Sequence, residues 1–267
     1  MSPPKYTHGH HESVLRSHRA RTAQNSAAYL LPSLRPGLQL LDVGCGPGTI
    51  TADLAALVDP GRVTAIEPVT EALDLAREYA QQKGQHNIDF VVADVHALQF
   101  DDNSFDVVHA HQVLQHVADP VQALSEMRRV CKPGGVVAAR DSDYAAFTWY
   151  PASAELDDWL RLYRDAARAN GGEPDAGRHL VAWAHAAGFT DVTPTACASC
   201  FATPADREHW GGMWADRILQ SAIADQLLTS GAADQAKLQA ISQAWRDWAD
   251  QPDGWLALLH SQILCRV

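Results

Sequence analysis

The chain has 267 residues and a formal net charge of −11, so it is long enough for one large α/β domain with insertions or for two small ones. The excess of acidic side chains argues against a nucleic-acid substrate, because phosphate backbones demand basic surfaces. Since the sequence has no apolar run of about 18 residues and no apolar signal segment at its start, we expect a cytoplasmic monomer or homodimer that acts on a small molecule.

The N-terminal part of the chain is predicted to be irregular up to residue 16 and helical over 17–31, with Pro32 ending the helix. Strand and helix patterns then alternate. The strands are predicted at 38–43, 62–67, 88–94, 105–111 and 135–141, and the helices at 47–58, 69–83 and 119–131. Asp119 and Pro120 are a typical helix start, because Asp caps free N–H groups and Pro fits the first turn. The alternation predicts a doubly wound, Rossmann-like α/β sheet that is mostly parallel.

The pattern changes after residue 143, where helices become longer and more frequent. Helices are predicted at 153–170 and 178–187, a strand at 191–201, a tryptophan-rich helical region at 204–250 and a strand at 256–267. No internal repeat or low-complexity segment interrupts this order.

The most informative local sequence is the glycine-dense turn at 44–48, directly after the first strand. Glycine accepts positive φ angles and lets a ligand approach the main chain, and ligands of open α/β sheets bind at this edge. A P-loop would need a lysine here, and a dinucleotide fingerprint would need a later glycine. Pro47 also removes an N–H donor, and Asp42 would repel phosphates and suit a cation. The turn therefore favours an adenosine ligand without phosphates and with a positive centre, such as S-adenosylmethionine.

Two further strands end in acidic residues. Glu67 follows the glycine turn by about 20 residues, where a carboxylate can accept hydrogen bonds from both ribose hydroxyls. Asp94 ends the next strand, and Val95 and His96 follow in a position to face an adenine edge. A single acid at a strand end is compatible with a helix cap, but consecutive strand ends with Asp42, Glu67 and Asp94 favour a ligand site.

The block 40–135 resembles the core of class I S-adenosylmethionine-dependent methyltransferases of the ubiquinone/menaquinone-methyltransferase type. The motifs that carry the resemblance are LDVGCGPG (41–48), Glu67, the Ala-Asp pair 93–94, FDVVHAHQVLQHV (105–117) and KPGG (132–135). The resemblance implies S-adenosylmethionine as cofactor and S-adenosylhomocysteine as product. The predicted cofactor contacts, from these motifs and the segment before them, are Tyr6, Arg21, Asp42, Gly44, Cys45, Gly46, Gly48, Thr49, Glu67, Pro68, Asp94, Val95, His96, Ala110 and His111.

The same resemblance implies a seven-stranded sheet that 191–201 and 256–267 complete, with the last strand antiparallel and the added helices forming a cap over the carboxyl edge. The predicted organisation is an N-terminal helical segment closing the cofactor site (1–36), the cofactor-binding core (37–143), a cap helix (144–172), a core helix and strand (173–203), a helical cap insertion (204–252) and the final core strand (253–267).

Methyl transfer from a sulfonium needs alignment and water exclusion, and a base only where the acceptor is not already a nucleophile. His111, Asp143 and Tyr144 are the candidate catalytic residues at the carboxyl edge, although structural hydrogen bonding would equally explain the histidine. Arg21 and Asn25 share a helical face, so Arg21 is expected either to bind the methionine carboxylate or to lie on the surface.

Outside the core, the chain is similar to the gliotoxin-type dithiol S-methyltransferases. The similarity rests on HESVLRSH…RTAQNSAAYLLP (11–32) and DSDY…WYP (141–151), and it implies S-methylation of thiol or dithiol natural products. A thiol suits this chemistry because its pKa lies near 8.5, so modest electrostatic help yields the thiolate. The predicted substrate contacts are His116, Trp149, Trp210 and Trp214, with a helix face packed on the core as the alternative for the tryptophans.

Several alternatives stay open at this level. The acceptor could be a carbon or oxygen of a quinone-like or phenolic metabolite, and from other classes a nicotinamide-dependent oxidoreductase or a non-catalytic S-adenosylmethionine-binding protein is conceivable. No metal is expected, because Cys197 and Cys200 have zinc-ligand spacing without a second pair and lie in a predicted strand that would point them to opposite faces.

Overall fold

The computed structural model describes residues 20–267, and one mixed sheet organises them. Its strands are β1 (Gln39–Val43), β2 (Arg62–Glu67), β3 (Ile88–Val92), β4 (Phe105–His111), β5 (Cys131–Ser142), β6 (Thr148–Tyr150), β7 (Asp191–Phe201) and β8 (Trp255–Arg266). Strands β3, β2, β1, β4 and β5 lie side by side and run parallel. The Rossmann-like, mostly parallel fold predicted from the sequence is thereby confirmed.

The far side of the sheet is antiparallel. Strand β8 pairs with β5 through its second half and with β7 along nearly its whole length. The short strand β6 pairs with the start of β8, so it continues the line of β5 beyond the carboxyl edge. Strand β6 is the one strand of the described chain that the sequence did not predict, because its few residues give no detectable alternation.

The helices of the described residues are α1 (Ala23–Ser26), α2 (Thr49–Val58), α3 (Thr70–Gln82), α4 (Pro120–Val130), α5 (Ala154–Ala169), α6 (Leu180–Ala186), α7 (Pro204–Gln220), α8 (Ala222–Thr229) and α9 (Gln235–Asp250). Helix α4 begins as predicted, with the Asp119 side chain accepting from the Gln122 N–H at 2.9 Å and Pro120 at the first position. None of these helices is long and apolar enough to cross a membrane.

The predicted helix over 17–31 is wrong for its described part. One helical turn, α1, is followed by bends and a short 3₁₀ turn at Leu31–Ser33. The Thr22 hydroxyl accepts a hydrogen bond from the Asn25 backbone N–H, and the Asn25 side-chain oxygen accepts one from the Thr22 backbone N–H. These two bonds satisfy the free N–H groups at the start of a single helical turn. Asn and Ser compete with helical hydrogen bonds in this way, so the helix does not extend.

A second hydrophobic core lies beyond the carboxyl edge of the sheet. Helices α5, α7, α8 and α9 surround the fully buried rings of Trp159, Trp214 and Trp245, with Trp159 lying 4.6 Å from Trp214 and 4.9 Å from Trp245 between ring centroids. The same cluster includes Tyr144 and Phe147, which directly follow β5. These helices therefore form a cap at the end of the sheet where the candidate site lies. Ser221 separates α7 from α8, and Gly231 lies between α8 and α9.

Candidate functional site

The glycine turn lies between β1 and α2, and its glycines serve different purposes. All of Gly44, Gly46 and Gly48 have positive φ angles. A Cβ atom on Gly44 would lie 2.5 Å from a Val113 methyl carbon, and one on Gly48 would lie 2.8 Å from the Ala76 Cβ, whereas a Cβ on Gly46 would meet nothing within 4 Å. Packing within the protein therefore explains Gly44 and Gly48, and the open space that a ligand could use lies at Gly46.

Glu67, the last residue of β2, faces this turn. Its Oε2 accepts a hydrogen bond from the Gly46 N–H at 3.1 Å, and no other described residue donates to the carboxylate. Burial raises the pKa of Glu67, the Gly46 hydrogen bond opposes this, and the charge of Asp42 adds to it. The carboxylate is thus fixed beside the open space, with one oxygen able to accept from a ligand hydroxyl.

The next acidic residue, Asp94, follows the end of β3. Its Oδ1 accepts from the His96 backbone N–H at 2.9 Å and contacts the His96 ring Nδ1 at 2.7 Å. Partial burial raises the pKa of Asp94, but the hydrogen bonds from His96 outweigh it, so the pKa is lowered overall. Val95 between them is buried and His96 is half-buried. The three predicted residues therefore form one compact turn at the edge next to Glu67.

Asp42, another predicted cofactor contact, is hydrogen-bonded within the protein. It is buried, and its Oδ1 accepts from His109 Nδ1 at 2.8 Å while its Oδ2 accepts from the Thr51 hydroxyl at 2.6 Å. Both oxygens are therefore used to join β1 to β4 and α2. Of the other predicted cofactor contacts in this region, Cys45, Thr49 and Ala110 are buried and Pro68 is exposed.

His111, the last residue of β4, is buried and neither ring nitrogen has a hydrogen-bond partner. Burial lowers its pKa well below the usual value, and the nearby charges of Arg21 and Arg140 lower it further. The imidazole is therefore neutral at physiological pH. Because the side chain lies at the carboxyl end of a central strand, the structure retains His111 as a candidate base.

Gln112, which the sequence analysis missed, organises the edge beside His111. Its backbone has a φ of 54°, a conformation that is uncommon for residues other than glycine. Its side-chain oxygen accepts from the Arg21 guanidinium, and its Nε2 donates to the Ser142 hydroxyl at 2.9 Å and to His260 Nε2 at 3.1 Å. Arg21 is thereby brought to the carboxyl edge, as one of its two predicted roles requires. Tyr6, the other predicted N-terminal contact, lies outside the described residues.

The structure does not support Asp143 and Tyr144 as catalytic groups. Asp143 is buried in a bidentate ion pair with Arg178, whose Nε and Nη2 lie 2.8 and 2.7 Å from its oxygens. The Tyr144 ring lies between Phe147 and Tyr163, with centroids 4.3 and 4.2 Å away. Burial raises the pKa of Tyr144, and its hydrogen bond to Tyr163 opposes the shift. Both side chains connect the sheet to neighbouring segments of the chain. Their partners Arg178 and Tyr163 are distant in sequence, so the local sequence does not reveal these contacts.

The predicted substrate contacts are dispersed. His116 accepts from the Gln115 amide at 2.9 Å, and burial lowers its pKa to about 4. Trp214 is fully buried in the cap core, which agrees with the alternative of a helix face packed on the core. Trp210 packs on Phe201 at 4.6 Å between ring centroids and Trp149 lies in β6, and both keep part of their surface accessible.

The cysteines are all free thiols. Cys197 and Cys200 lie in β7, and the side chain of Cys197 turns toward Arg140 and Gln262. Within residues 20–267, no three His, Cys, Asp or Glu side chains are grouped closely enough to hold a metal ion.

Comparison with known proteins adds an independent finding. A family model described as a methyltransferase domain matches residues 41–139. The chain is 34% identical over 269 residues to an uncharacterized methyltransferase of Schizosaccharomyces pombe, covering 97% of this chain and 95% of that protein. It is 30% identical over 278 residues to a probable methyltransferase of Aspergillus luteorubrus, covering 97% and 96%. Among solved structures, the fold is similar to that of the Haemonchus contortus phosphoethanolamine N-methyltransferase 2 complex with phosphomonomethylethanolamine and S-adenosylhomocysteine, with a TM-score of 0.56 and 20% identity over 87% of this chain and 49% of that one.

Proposed function

The chain belongs to the family of S-adenosylmethionine-dependent methyltransferases, and from that premise we propose that it methylates a thiol sulfur of a small molecule. Its cofactor is S-adenosylmethionine, and S-adenosylhomocysteine is the product. The family membership sets aside the nicotinamide-dependent oxidoreductase that the sequence left open. The acceptor is the part of the proposal that needs an argument from the site.

The residues of the described edge fit this cofactor. Glu67 has an oxygen available for the ribose hydroxyls, and the open space at Gly46 leaves room for a ligand against the main chain. The turn at Asp94 to His96 lies next along the edge, where the adenine would lie. Arg21, held by Gln112, would bind the methionine carboxylate through a charge-assisted hydrogen bond.

When bound, the cofactor supplies a sulfonium methyl group that is open to in-line displacement. The protein has to align the acceptor, exclude water and take up the proton that the acceptor loses. The cap core, with its buried tryptophans, excludes water from the carboxyl edge of β5. His111 is the described side chain at the end of β4 that can receive a proton, since both its nitrogens are without partners.

The observation that carries the choice of sulfur is the buried, neutral His111 near two guanidinium groups. Because its pKa lies well below the usual value, His111 is a weak base and takes a proton efficiently only from an acidic group. A thiol has a pKa near 8.5, and the charge of Arg21 would lower it further. A phenol, with a pKa near 10, or a carbon acid would need a stronger base than this site offers.

The test uses methyl-labelled S-adenosylmethionine with the matched pair benzenethiol and phenol, and with hydroquinone as a quinol. We expect label in benzenethiol and not in the other two. Methylation of phenol or hydroquinone without benzenethiol would reject the thiol assignment while leaving the methyltransferase assignment intact.

The role of His111 has its own variant. We expect His111→Asn to lower kcat for the aliphatic thiol 2-mercaptoethanol, which is mostly protonated at neutral pH, by about 100-fold, with the exposed His185→Asn as the control that leaves kcat unchanged. If H111N keeps wild-type kcat across pH 6 to 9, the proton is taken up elsewhere and the base assignment fails.

A further inference from the structure

Arg140 is a buried arginine in the interior of β5 that forms no ion pair with another described residue. It is 3% exposed, its Nη2 donates to the Cys197 sulfur at 3.5 Å, and its Nε has no hydrogen-bond partner. No ion pair among residues 20–267 includes its guanidinium, and the acidic group on whose pKa its charge acts is the adjacent buried Asp141, where burial raises the pKa to about 7. A buried cation is costly unless an anion compensates it, and a thiol is a weak acceptor. The guanidinium therefore lacks a hydrogen-bonded anion, since Asp141 acts on it through charge alone.

Other unpartnered polar atoms lie around this cation. His111 is paired in register with Arg140 on the neighbouring strand, and both its ring nitrogens lack partners, as do Nδ1 of buried His260 and the buried hydroxyl of Tyr29. The charge of Arg140 acts on the pKa of each of these groups: it opposes the rise that burial causes in Tyr29 and adds to the fall that burial causes in both histidines. Since more than nine in ten buried polar groups are hydrogen-bonded in proteins, this concentration points to a ligand with acceptor atoms.

The neighbours of Arg140 on the other side cannot supply that acceptor. The Gln262 side-chain oxygen accepts from the Thr195 hydroxyl at 2.9 Å, and its amide donates to the Cys197 sulfur at 3.2 Å. Gln262 is thus held by its own strand pairing with β7. The Nε of Arg140 can therefore donate only to a group that is not part of the described protein.

This subsite is adjacent to the candidate reaction centre. His111 is the last residue of β4, and Gln112 directly after it joins Arg21, Ser142 and His260 into one network at the carboxyl edge. We propose that Arg140 recognises an anionic group of the methyl acceptor, a carboxylate or a second thiolate, that is distinct from the sulfur receiving the methyl group. The inference rests on the proposed function and names a specificity-determining residue for it.

The experiment compares three thiols of similar size: 2-mercaptoethanol, which is neutral, 3-mercaptopropionate, which carries a carboxylate, and dithiothreitol, which carries a second thiol. Each is assayed with the wild type, Arg140→Met and the control Arg207→Met. Arg207 is also buried, but its guanidinium donates to the carbonyls of Ala202 and Ala249, so its loss should lower Tm without changing the order of acceptors.

For R140M we expect kcat/KM to fall about 10- to 100-fold with the anion-bearing thiol or thiols that the wild type prefers, and less than threefold with 2-mercaptoethanol. The preferred thiol distinguishes a carboxylate from a thiolate. We also expect the Tm of the ligand-free protein to stay constant or to rise, because R140M removes an uncompensated buried charge. An equal fall with all three thiols, or a loss of S-adenosylhomocysteine affinity, would overturn the proposal.

Binding of 3-mercaptopropionate and dithiothreitol to the complex with S-adenosylhomocysteine, measured by calorimetry, separates the two proposals. If the wild type methylates none of the thiols yet binds one of these two more tightly than R140M does, the anion subsite stands and the thiol acceptor is rejected. If the wild type methylates thiols but R140M binds and methylates all of them as the wild type does, the thiol acceptor stands and the anion subsite is rejected.

Discussion

Gly46→Val tests whether the open space at the glycine turn belongs to the cofactor. Gly46 has a φ of +51°, and a Cβ there would meet nothing within 4 Å. A valine therefore clashes with no protein atom, and its cost to the fold is the strain of a β-branched residue in the left-handed region, about 1–3 kcal/mol. In the complex, however, its methyl groups would occupy the space that the cofactor needs.

Gly84→Val is the matched control, because Gly84 also has a positive φ, +71°, and open space around its Cβ, but it follows α3 away from the site. We expect both variants to lose a similar 1–3 kcal/mol of unfolding free energy in urea. Only G46V should lose affinity for S-adenosylhomocysteine in calorimetry, by at least about 100-fold, which corresponds to about 3 kcal/mol. If G46V binds within threefold of the wild type while its stability falls as in G84V, the cofactor does not use this space.

Two further predictions concern buried carboxylates of β5 and its C-terminal end. Burial raises the pKa of Asp141 to about 7 from an unfolded value near 4, so its ionisation destabilises the folded state progressively between about pH 4 and 7, by at most about 4 kcal/mol. Asp141→Asn should therefore gain more unfolding free energy over the wild type at pH 8 than at pH 5 in urea titrations, and an equal gain at both pH values would contradict this. Asp143→Asn, which breaks the ion pair with Arg178, should lose about 1–3 kcal/mol of stability with kcat within threefold; a 100-fold fall in kcat at unchanged stability would return Asp143 to catalysis.

The parallel half of the fold was predictable because its signals are local. Each of β1, β2 and β4 is a continuous buried run with turn residues at its ends, and the structure gives β2 and β4 the predicted bounds. The cap was predictable only as helices, because the distance between Trp159 and Trp214 or Trp245 depends on how three separate segments pack. A tryptophan facing a pocket and one facing a core have the same sequence pattern.

The residues of the candidate site likewise divide into those that local sequence predicts and those that it does not. Glu67 and Gly46 were predictable since a strand end and a glycine turn fix them by position. The ion pair that occupies Asp143 joins residues 35 positions apart in sequence, so local sequence could not separate it from a solvated strand end. Arg140 did leave a signal: it is a cation that directly follows the buried apolar residues 136–139 of β5, a position where a charge needs a partner.

The carboxyl edge has two halves, one around β1 and one around β4, β5 and β8. They differ in how many of their buried polar groups are hydrogen-bonded, and this difference indicates which half binds the cofactor and which half binds the acceptor. Around β1, both oxygens of Asp42 accept hydrogen bonds within the protein. The polar groups of that half are therefore satisfied before a ligand binds, as expected for the half that holds the cofactor. Around β4, β5 and β8, Arg140, His111 and His260 keep unpartnered buried atoms, which lowers the stability of the ligand-free protein. Proteins retain such costs where function requires them. The incomplete half is therefore where the acceptor should be recognised, and variants that change acceptor choice without changing cofactor affinity should map to β4, β5 and β8.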